Sequence, residues 1–246
     1  MIDQKAYARV ARDAVDRLLV REHDNIARAG ETIYQALRDG GVLQAYGTGH
    51  SRAVALEFVG RAGGLVPANQ LGIRDLAYYG DTSPSDLLDP KLERDPALAR
   101  RIWELADIRP GDPFVIISNS GGNGAIVEMA RLAADGGHPL VAVTSLAHTA
   151  RVTARPRLAD LADVVIDNGA PYGDAALDLP EGGAVCPVSN LTGVLIAQLL
   201  VAEVTGHYLA AGQPPPVFRS ANTPGGDEHN DHLLETYGPR VRLGDA

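Results

Sequence analysis

Val115-Ile116-Ile117-Ser118-Asn119-Ser120-Gly121-Gly122-Asn123-Gly124 is the stretch that decides how this chain is read. Phe114 to Ile117 is short, apolar, β-branched and bounded by Pro113 and Ser118, the pattern of a strand buried on both faces of a parallel sheet. From Ala125, the residues Ile126, Met129, Ala130 and Ala133 recur at three- and four-residue steps, which predicts an amphipathic helix ending near Gly136-Gly137. Between strand and helix, Ser118 and Ser120 offer hydroxyls and the glycines allow close backbone approach. The first N–H groups of the helix lack partners and favour an anion. The same residues also suit a plain tight turn between strand and helix, so the stretch alone leaves both readings open.

The flanking sequence repeats the arrangement. Val42 to Tyr46 predicts a first strand that runs into Gly47-Thr48-Gly49-His50-Ser51 and then a helix from Arg52 to about Arg61. Leu65 to Asn69 predicts a second strand, Leu140 to Val143 a fourth that ends in Thr144-Ser145, and Val164 to Asp167 a fifth. Residues 3 to 38 carry two amphipathic helical patterns stopped by Gly40-Gly41, and residues 190 to 211 form a helix apolar nearly all round, expected to be deeply buried. Asp81 to Pro96, rich in Asp, Pro and Ser, is expected to be a surface loop able to close over a site. Strands alternating with helices predict an α/β fold with a doubly wound, parallel five-stranded sheet and an N-terminal helical pair. In such sheets ligands bind at the carboxyl ends of the strands, where Ser51, Ser118, Ser120, Thr144 and Ser145 fall. The domain is expected over residues 1–212, with 213–246 a C-terminal arm on the surface or on a neighbouring copy.

Bulk properties narrow the partners. Against 22 basic residues stand 31 acidic ones in a chain of 246, and no basic stripe with interleaved aromatics occurs, which argues against nucleic acid. The cation for a phosphate must be local. A single cysteine, Cys186, excludes an intrachain disulfide and has no second cysteine for zinc or redox chemistry. No apolar run approaches ~18 residues and the start of the chain is a charged helical pattern, so a cytoplasmic protein without a membrane partner is expected. Two amphipathic helices ahead of a sheet have apolar faces to cover, and a homo-oligomer, dimer or tetramer, is one way to cover them. Nucleotide binding is disfavoured: Gly47-x-Gly49 lacks the third glycine, where Arg52 stands, and no Gly-Lys-Ser or Gly-Lys-Thr sequence occurs.

Three hydroxyl-bearing loops in order at consecutive strand ends resemble the sugar isomerase (SIS) domain, whose members bind phosphorylated sugars. Gly47 to Ser51 resembles its first loop, Ser118-Asn119-Ser120-Gly121 its phosphate loop, and Thr144-Ser145 its third hydroxyl pair. The resemblance spans roughly residues 3 to 212 and is to the phosphoheptose isomerase-like branch. It is nearer still to an uncharacterised bacterial SIS group with a similar Gly-Gly-Asp-Glu-His-Asn tail, here Gly225 to Asn230. The resemblance implies a sugar phosphate as ligand and, on the helix after the first loop, a carboxylate that moves the proton beside the sugar carbonyl. Glu57 is the carboxylate on that helix, and Arg61 is placed to pair with it or to clamp ligand oxygens. Phosphoheptose isomerases carry histidine at the position of Glu57 and glutamate at that of Arg61, where the two help hold a metal. The different residues here imply neither metal nor other cofactor.

The remaining candidates follow from residue chemistry. His229, with Glu228 beside it, can act as acid, base or sugar-hydroxyl partner, and His50 can reach sugar oxygens. Asn69, Asn119 and Asn123 suit hydroxyl and amide recognition. The expected activity is abstraction of the C2 proton of an open-chain sugar 6-phosphate, an N-acetylhexosamine 6-phosphate above others, with elimination of water. Aldose–ketose isomerisation and non-catalytic sensing of a phosphosugar are the alternatives.

Overall fold

The computed structural model describes residues 2–89 and 91–242. Asp3 caps the first helix, α1 (Gln4–Arg21), by accepting from the Ala6 N–H at 2.8 Å. Helix α2 (His23–Arg38) follows after one residue. Then come β1 (Leu43–Gly47), α3 (Ser51–Leu56), β2 (Ala68–Leu71) and α4 (Asp75–Tyr78). Two short 3₁₀ turns, Pro84–Leu88 and Leu92–Arg94, lead into α5 (Pro96–Leu105), which starts with Asp95 as cap and Pro96 in its first turn. The chain continues through β3 (Phe114–Ile117), α6 (Gly124–Asp135), β4 (Leu140–Thr144), α7 (Leu146–Thr149), α8 (Leu158–Leu161) and β5 (Val164–Asp167). A hairpin of β6 (Ala175–Asp178) and β7 (Ala184–Pro187) precedes the long α9 (Ser189–Ala210), and α10 (Gly226–Tyr237) lies in the tail.

The five strands form one parallel sheet in the order β2-β1-β3-β4-β5. Strand residues alternate between two cores. Leu43, Ala45, Val115, Ile117, Val141 and Val143 face α2, α3 and α9, whereas Tyr46, Phe114, Ile116, Leu140 and Ala142 face α5, α6 and α8. Both faces are covered, which is why the central β3 and β4 read as apolar runs. Chain order reverses between β1 and β3, and there Gly47 stands beside Ile117. The first loop and the Ser118 loop therefore leave the sheet side by side at its switch point, where such folds open a crevice.

Several elements differ from the sequence expectation. Helix α3 stops at Leu56, and Glu57, Phe58 and Val59 continue only as bonds to the third residue back. Strand β2 begins at Ala68, not Leu65, because Pro67 has no N–H to give the ladder. Leu65 and Val66 pair instead with the tail, in an antiparallel bridge from Leu65 to Val217 and a bond from Val66 N to Pro216 O at 2.8 Å. Helix α9 is buried on one face only. Ile196, Ala197, Leu200 and Val204 pack inward, while Leu191, Val194 and Leu209 are exposed. By length and composition α9 resembles a membrane-spanning helix, yet it serves as the core helix against α2.

The tail of the described chain is an ordered strap. Asp112, fully buried just before β3, accepts from Val42 N (2.8 Å), Arg109 N (2.9 Å) and Gln44 Nε2 (3.3 Å), and both its oxygens accept from Arg240 at 2.8 and 2.7 Å. Arg240 thereby fastens residues 213–242 to the amino ends of β1 and β3.

Candidate functional site

The Ser118 loop is held from below by hydroxyls. Ser118 Oγ accepts from Gly121 N at 3.1 Å and Ser120 Oγ from Gly122 N at 3.4 Å, which rolls the backbone into a cradle ahead of α6. Gly121 has φ +63°, and a Cβ there would stand 3.2 Å from Thr144 Oγ1, so the position requires glycine on both counts. Its carbonyl accepts from Leu158 N at 2.8 Å, tying the start of α8 to the cradle.

Thr144 and Ser145 were expected among the ligand-facing hydroxyls, but both are fully buried. Thr144 Oγ1 bonds Thr149 Oγ1 at 3.0 Å, Thr149 donates to Ser120 O at 3.1 Å, and Ser145 Oγ donates to Ala170 O at 2.6 Å. Their place is beneath the cradle, where a parallel strand end leaves polar groups that the protein must satisfy itself. Asn119 is half-buried and also bonded to the scaffold, its Oδ1 accepting from Asn168 Nδ2 at 3.1 Å and its carbonyl from Ser145 N at 3.1 Å.

A cavity of about 280 Å³ opens at the carboxyl end of β1, walled by Tyr46, Thr48, Gly49, Arg52, Ile73 and Glu93 among others. Glu93, on the second 3₁₀ turn, joins the two loops. Its Oε1 accepts from Asn123 Nδ2 at 3.3 Å, and its Oε2 lies 3.2 Å from where a Cβ on Gly49 would stand. The Arg94 carbonyl lies against Gly124 at the start of α6. Asp89 and Glu93 thus bring two carboxylates to the cavity wall from the Asp81 to Pro96 stretch. Tyr46 contributes a buried hydroxyl with no hydrogen-bond partner, its ionisation pushed up by burial and then by Glu93 and Asp75. Arg52 is the local cation. Neither Glu93 nor Arg52 was singled out by sequence reading, and the one available signal for Arg52 was a charged residue where a dinucleotide loop would have its third glycine.

The other sequence candidates lie elsewhere. His50 is exposed at the start of α3, where its carbonyl accepts from Asn190 Nδ2 at 3.3 Å, and Ser51 is half-buried next to it. Glu57, at the end of α3, accepts from Gln198 Nε2 of α9 at 2.7 Å and pairs with Arg61. Neither Glu57 nor Arg61 lines the cavity, and no residue of the Ser118–Gly122 cradle does either; the cradle abuts it through the Asn123–Glu93 bond. A guanidinium already paired at this point does not fit a metal site. Asn69 sits opposite Gln44 toward the amino end of β2, and its amide is filled by backbone of the strap. His229 and Glu228 are on α10, with His229 Nε2 at 3.0 Å from Val217 O and Glu228 exposed. Both belong to the amino side of the sheet, so within one chain they do not meet the cradle. A larger cleft of about 650 Å³ between α2 and Arg240 is also on that side and contains none of the expected site residues.

A doubly wound sheet with a serine–glycine cradle and an acidic, arginine-flanked cavity at its switch point defines the class of protein. The SIS domain pattern matches residues 6–145. A UPF0309 protein of Streptomyces coelicolor is 36% identical over 234 residues, covering 93% of this chain and 92% of the relative. One from Geobacillus kaustophilus is 33% identical over 246 residues, covering 98% and 96%. The chain belongs to the SIS-domain family. Among solved structures it is similar to the phosphoheptose isomerase GmhA of Neisseria gonorrhoeae, with TM-score 0.55, 18% identity, and 82% of this chain and 96% of that one covered. It is also similar to the Vibrio vulnificus NanR protein complexed with ManNAc-6P, with TM-score 0.50, 17% identity, and 94% and 66% covered. At these identities the likeness is one of fold.

Proposed function

We propose that this protein is a cytoplasmic sugar-phosphate enzyme that abstracts the C2 proton of an open-chain sugar 6-phosphate. The observation that carries the reading is Glu93 set between the first loop and the cradle, in a cavity the size of a small ligand. The phosphate is held by the Ser118–Gly122 cradle, the first N–H groups of α6 and the Arg52 guanidinium. Glu93 takes the C2 proton, leaving a C1–C2 enolate (an enediolate where C2 bears a hydroxyl) whose O1 is stabilised by N–H groups of the first loop.

Two outcomes share that intermediate. Where C2 bears a hydroxyl, proton return at C1 with transfer of the O2 proton to O1 gives the ketose. Alternatively, the electron pair moves to form the C2–C3 double bond as the C3 hydroxyl takes a proton and leaves as water, giving an unsaturated sugar. An N-acetylhexosamine 6-phosphate suits elimination, because its C2 amide cannot become a ketose. Its presence in a NanR complex supports this ligand class for the family's fold.

Deuterium exchange at C2, followed by mass spectrometry over a panel of hexose and N-acetylhexosamine 6-phosphates, tests the reading. Glu93→Gln is expected to lower exchange by about 10²–10⁴-fold, the usual contribution of a general base, while Glu57→Gln retains most of it. The reverse ranking assigns the base to Glu57. Binding without exchange in the wild type makes the protein a sensor and ends the enzyme reading. A product lighter by one water identifies the lyase.

A second copy completes the assembly in this proposal. Leu191, Val194 and Leu209 leave an apolar stripe of α9 in water, which suits a homo-oligomer.

A further inference from the structure

Tyr46 carries one atom more than its place in the core asks for. It is the fourth residue of β1, with Leu71 of β2 and Ile116 of β3 beside it in register. Its fully buried side chain belongs to the core between the sheet and α5 and α6, where Leu71, Leu76, Leu98 and Phe114 share its cluster. A parallel strand covered on both faces asks only for an apolar residue at such a position, and phenylalanine would meet that demand. The hydroxyl is extra.

That hydroxyl is buried without a hydrogen-bond partner. A buried tyrosine ordinarily finds one for its O–H, and a hydroxyl left unpaired lowers stability. Tyr46 is also a wall of the ligand cavity, and so are Leu98 and Ile73, which pack in or against the same core. The cavity therefore opens onto the face of the sheet that carries the tyrosine ring. Burial, and then the charges of Glu93 and Asp75, push the ionisation of the phenol upward, so at neutral pH it is an uncharged O–H donor. Two carboxylates, Asp89 and Glu93, share that wall with one guanidinium, Arg52. Anionic company disfavours a phosphate next to the hydroxyl, which leaves an uncharged oxygen as its partner.

We propose that Tyr46 is a specificity residue: its hydroxyl is kept free for the ligand and donates to an uncharged oxygen, a carbonyl or hydroxyl of a polyhydroxylated chain. That this chain carries a phosphate rests on the function proposed above, whereas the reservation of the hydroxyl for a ligand does not.

Tyr46→Phe removes one oxygen and leaves the ring. In the ligand-free protein it is expected to keep or raise Tm, because no bond is lost. A clearly lower Tm means that the hydroxyl serves the scaffold, through a buried water for instance, and overturns the proposal. In protein isotopically labelled at tyrosine Cζ and followed by NMR, the Tyr46 line is the one of eight that is missing from Tyr46→Phe. It is expected to shift on addition of sorbitol 6-phosphate or unphosphorylated sorbitol and to stay in place with inorganic phosphate. A line that neither polyol moves, or that inorganic phosphate moves alike, overturns the proposal. Calorimetric affinity for sorbitol 6-phosphate is expected to fall about five- to tenfold in Tyr46→Phe, the fold-change of one neutral hydrogen bond, with that for inorganic phosphate unchanged. Equal losses for both probes assign Tyr46 to the phosphate end and likewise overturn it. If sorbitol moves the line while no sugar phosphate binds, the phosphosugar reading fails and the role of Tyr46 stands.

Discussion

Two glutamates in this protein differ less in chemistry than in company. Glu57 Oε1 accepts from both Arg61 and Gln198 of α9, which ties the side chain to the scaffold. Glu93 has one amide partner, Asn123, and faces a cavity. Sequence spacing could place the first on a helix but could not show what would surround it. Asp160 illustrates a carboxylate whose partners have a measurable consequence. The Arg157 side chain and backbone N–H hold its ionisation down at about 2, against an ordinary 3.8. The folded value is depressed, so its contribution to stability is complete above the unfolded value and is lost as pH falls from about 4 toward 2. Because this pair caps α8, whose first N–H bonds Gly121 O, the cradle shares the loss. In Asp160→Asn the denaturant midpoint is expected to change less steeply across that interval than in the wild type. Parallel curves would exclude Asp160 as a source of acid sensitivity.

At the scale of elements, the Pro84–Arg94 segment is the part on which the site depends most. A Cβ on Gly124 would come 2.2 Å from the Arg94 carbonyl, a backbone atom that cannot swing aside. Alanine suits a helix better than glycine by about 1 kcal/mol, so Gly124→Ala should stabilise α6 if nothing lay against it. Instead, a net loss of about 1–3 kcal/mol is expected, as in overpacked sites, with faster hydrogen exchange over residues 84–94 and unchanged exchange in α6. The sheet elements were legible because strands buried on both faces must be continuously apolar, and the loops after β1 and β3 because cradles need small residues. The β6–β7 hairpin was not legible, since its strands are short and half-exposed and lack a clean alternation. Glu93 was hidden for a related reason: an acidic residue in an Asp- and Pro-rich loop has the composition of any solvated loop until packing on α6 gives it an address. Thr144 and Ser145 were found at the correct strand end, but whether a hydroxyl faces ligand or scaffold is set by tertiary contacts.

For the whole molecule, the two ends of the sheet have different tasks. The carboxyl end holds the cradle and the cavity, whereas the amino end holds Asp112 with its partner Arg240 and α10. His229 and Glu228 therefore reach a cradle only by way of another copy, which makes oligomer formation a question about the site as well as about stability. The exposed stripe of α9 is the surface to examine. Leu191→Asp with Val194→Asp is expected to convert the assembly to monomers in light scattering while the fold is retained by circular dichroism. A wild type that is already monomeric at micromolar concentration would remove the basis for a shared site.

Asp112 also makes the interior of the sheet depend on a distant part of the chain. Its carboxylate sits in the interior between β1 and β3, yet the guanidinium that neutralises it belongs to Arg240, 128 residues later. While the ribosome is still translating the intervening chain, the sheet can collapse around an anion with N–H donors but no counter-charge. A chain cut before Arg240 would leave that buried anion without its counter-charge, so such a truncation is expected to lower the denaturant midpoint well beyond the loss from removing surface residues of equal number.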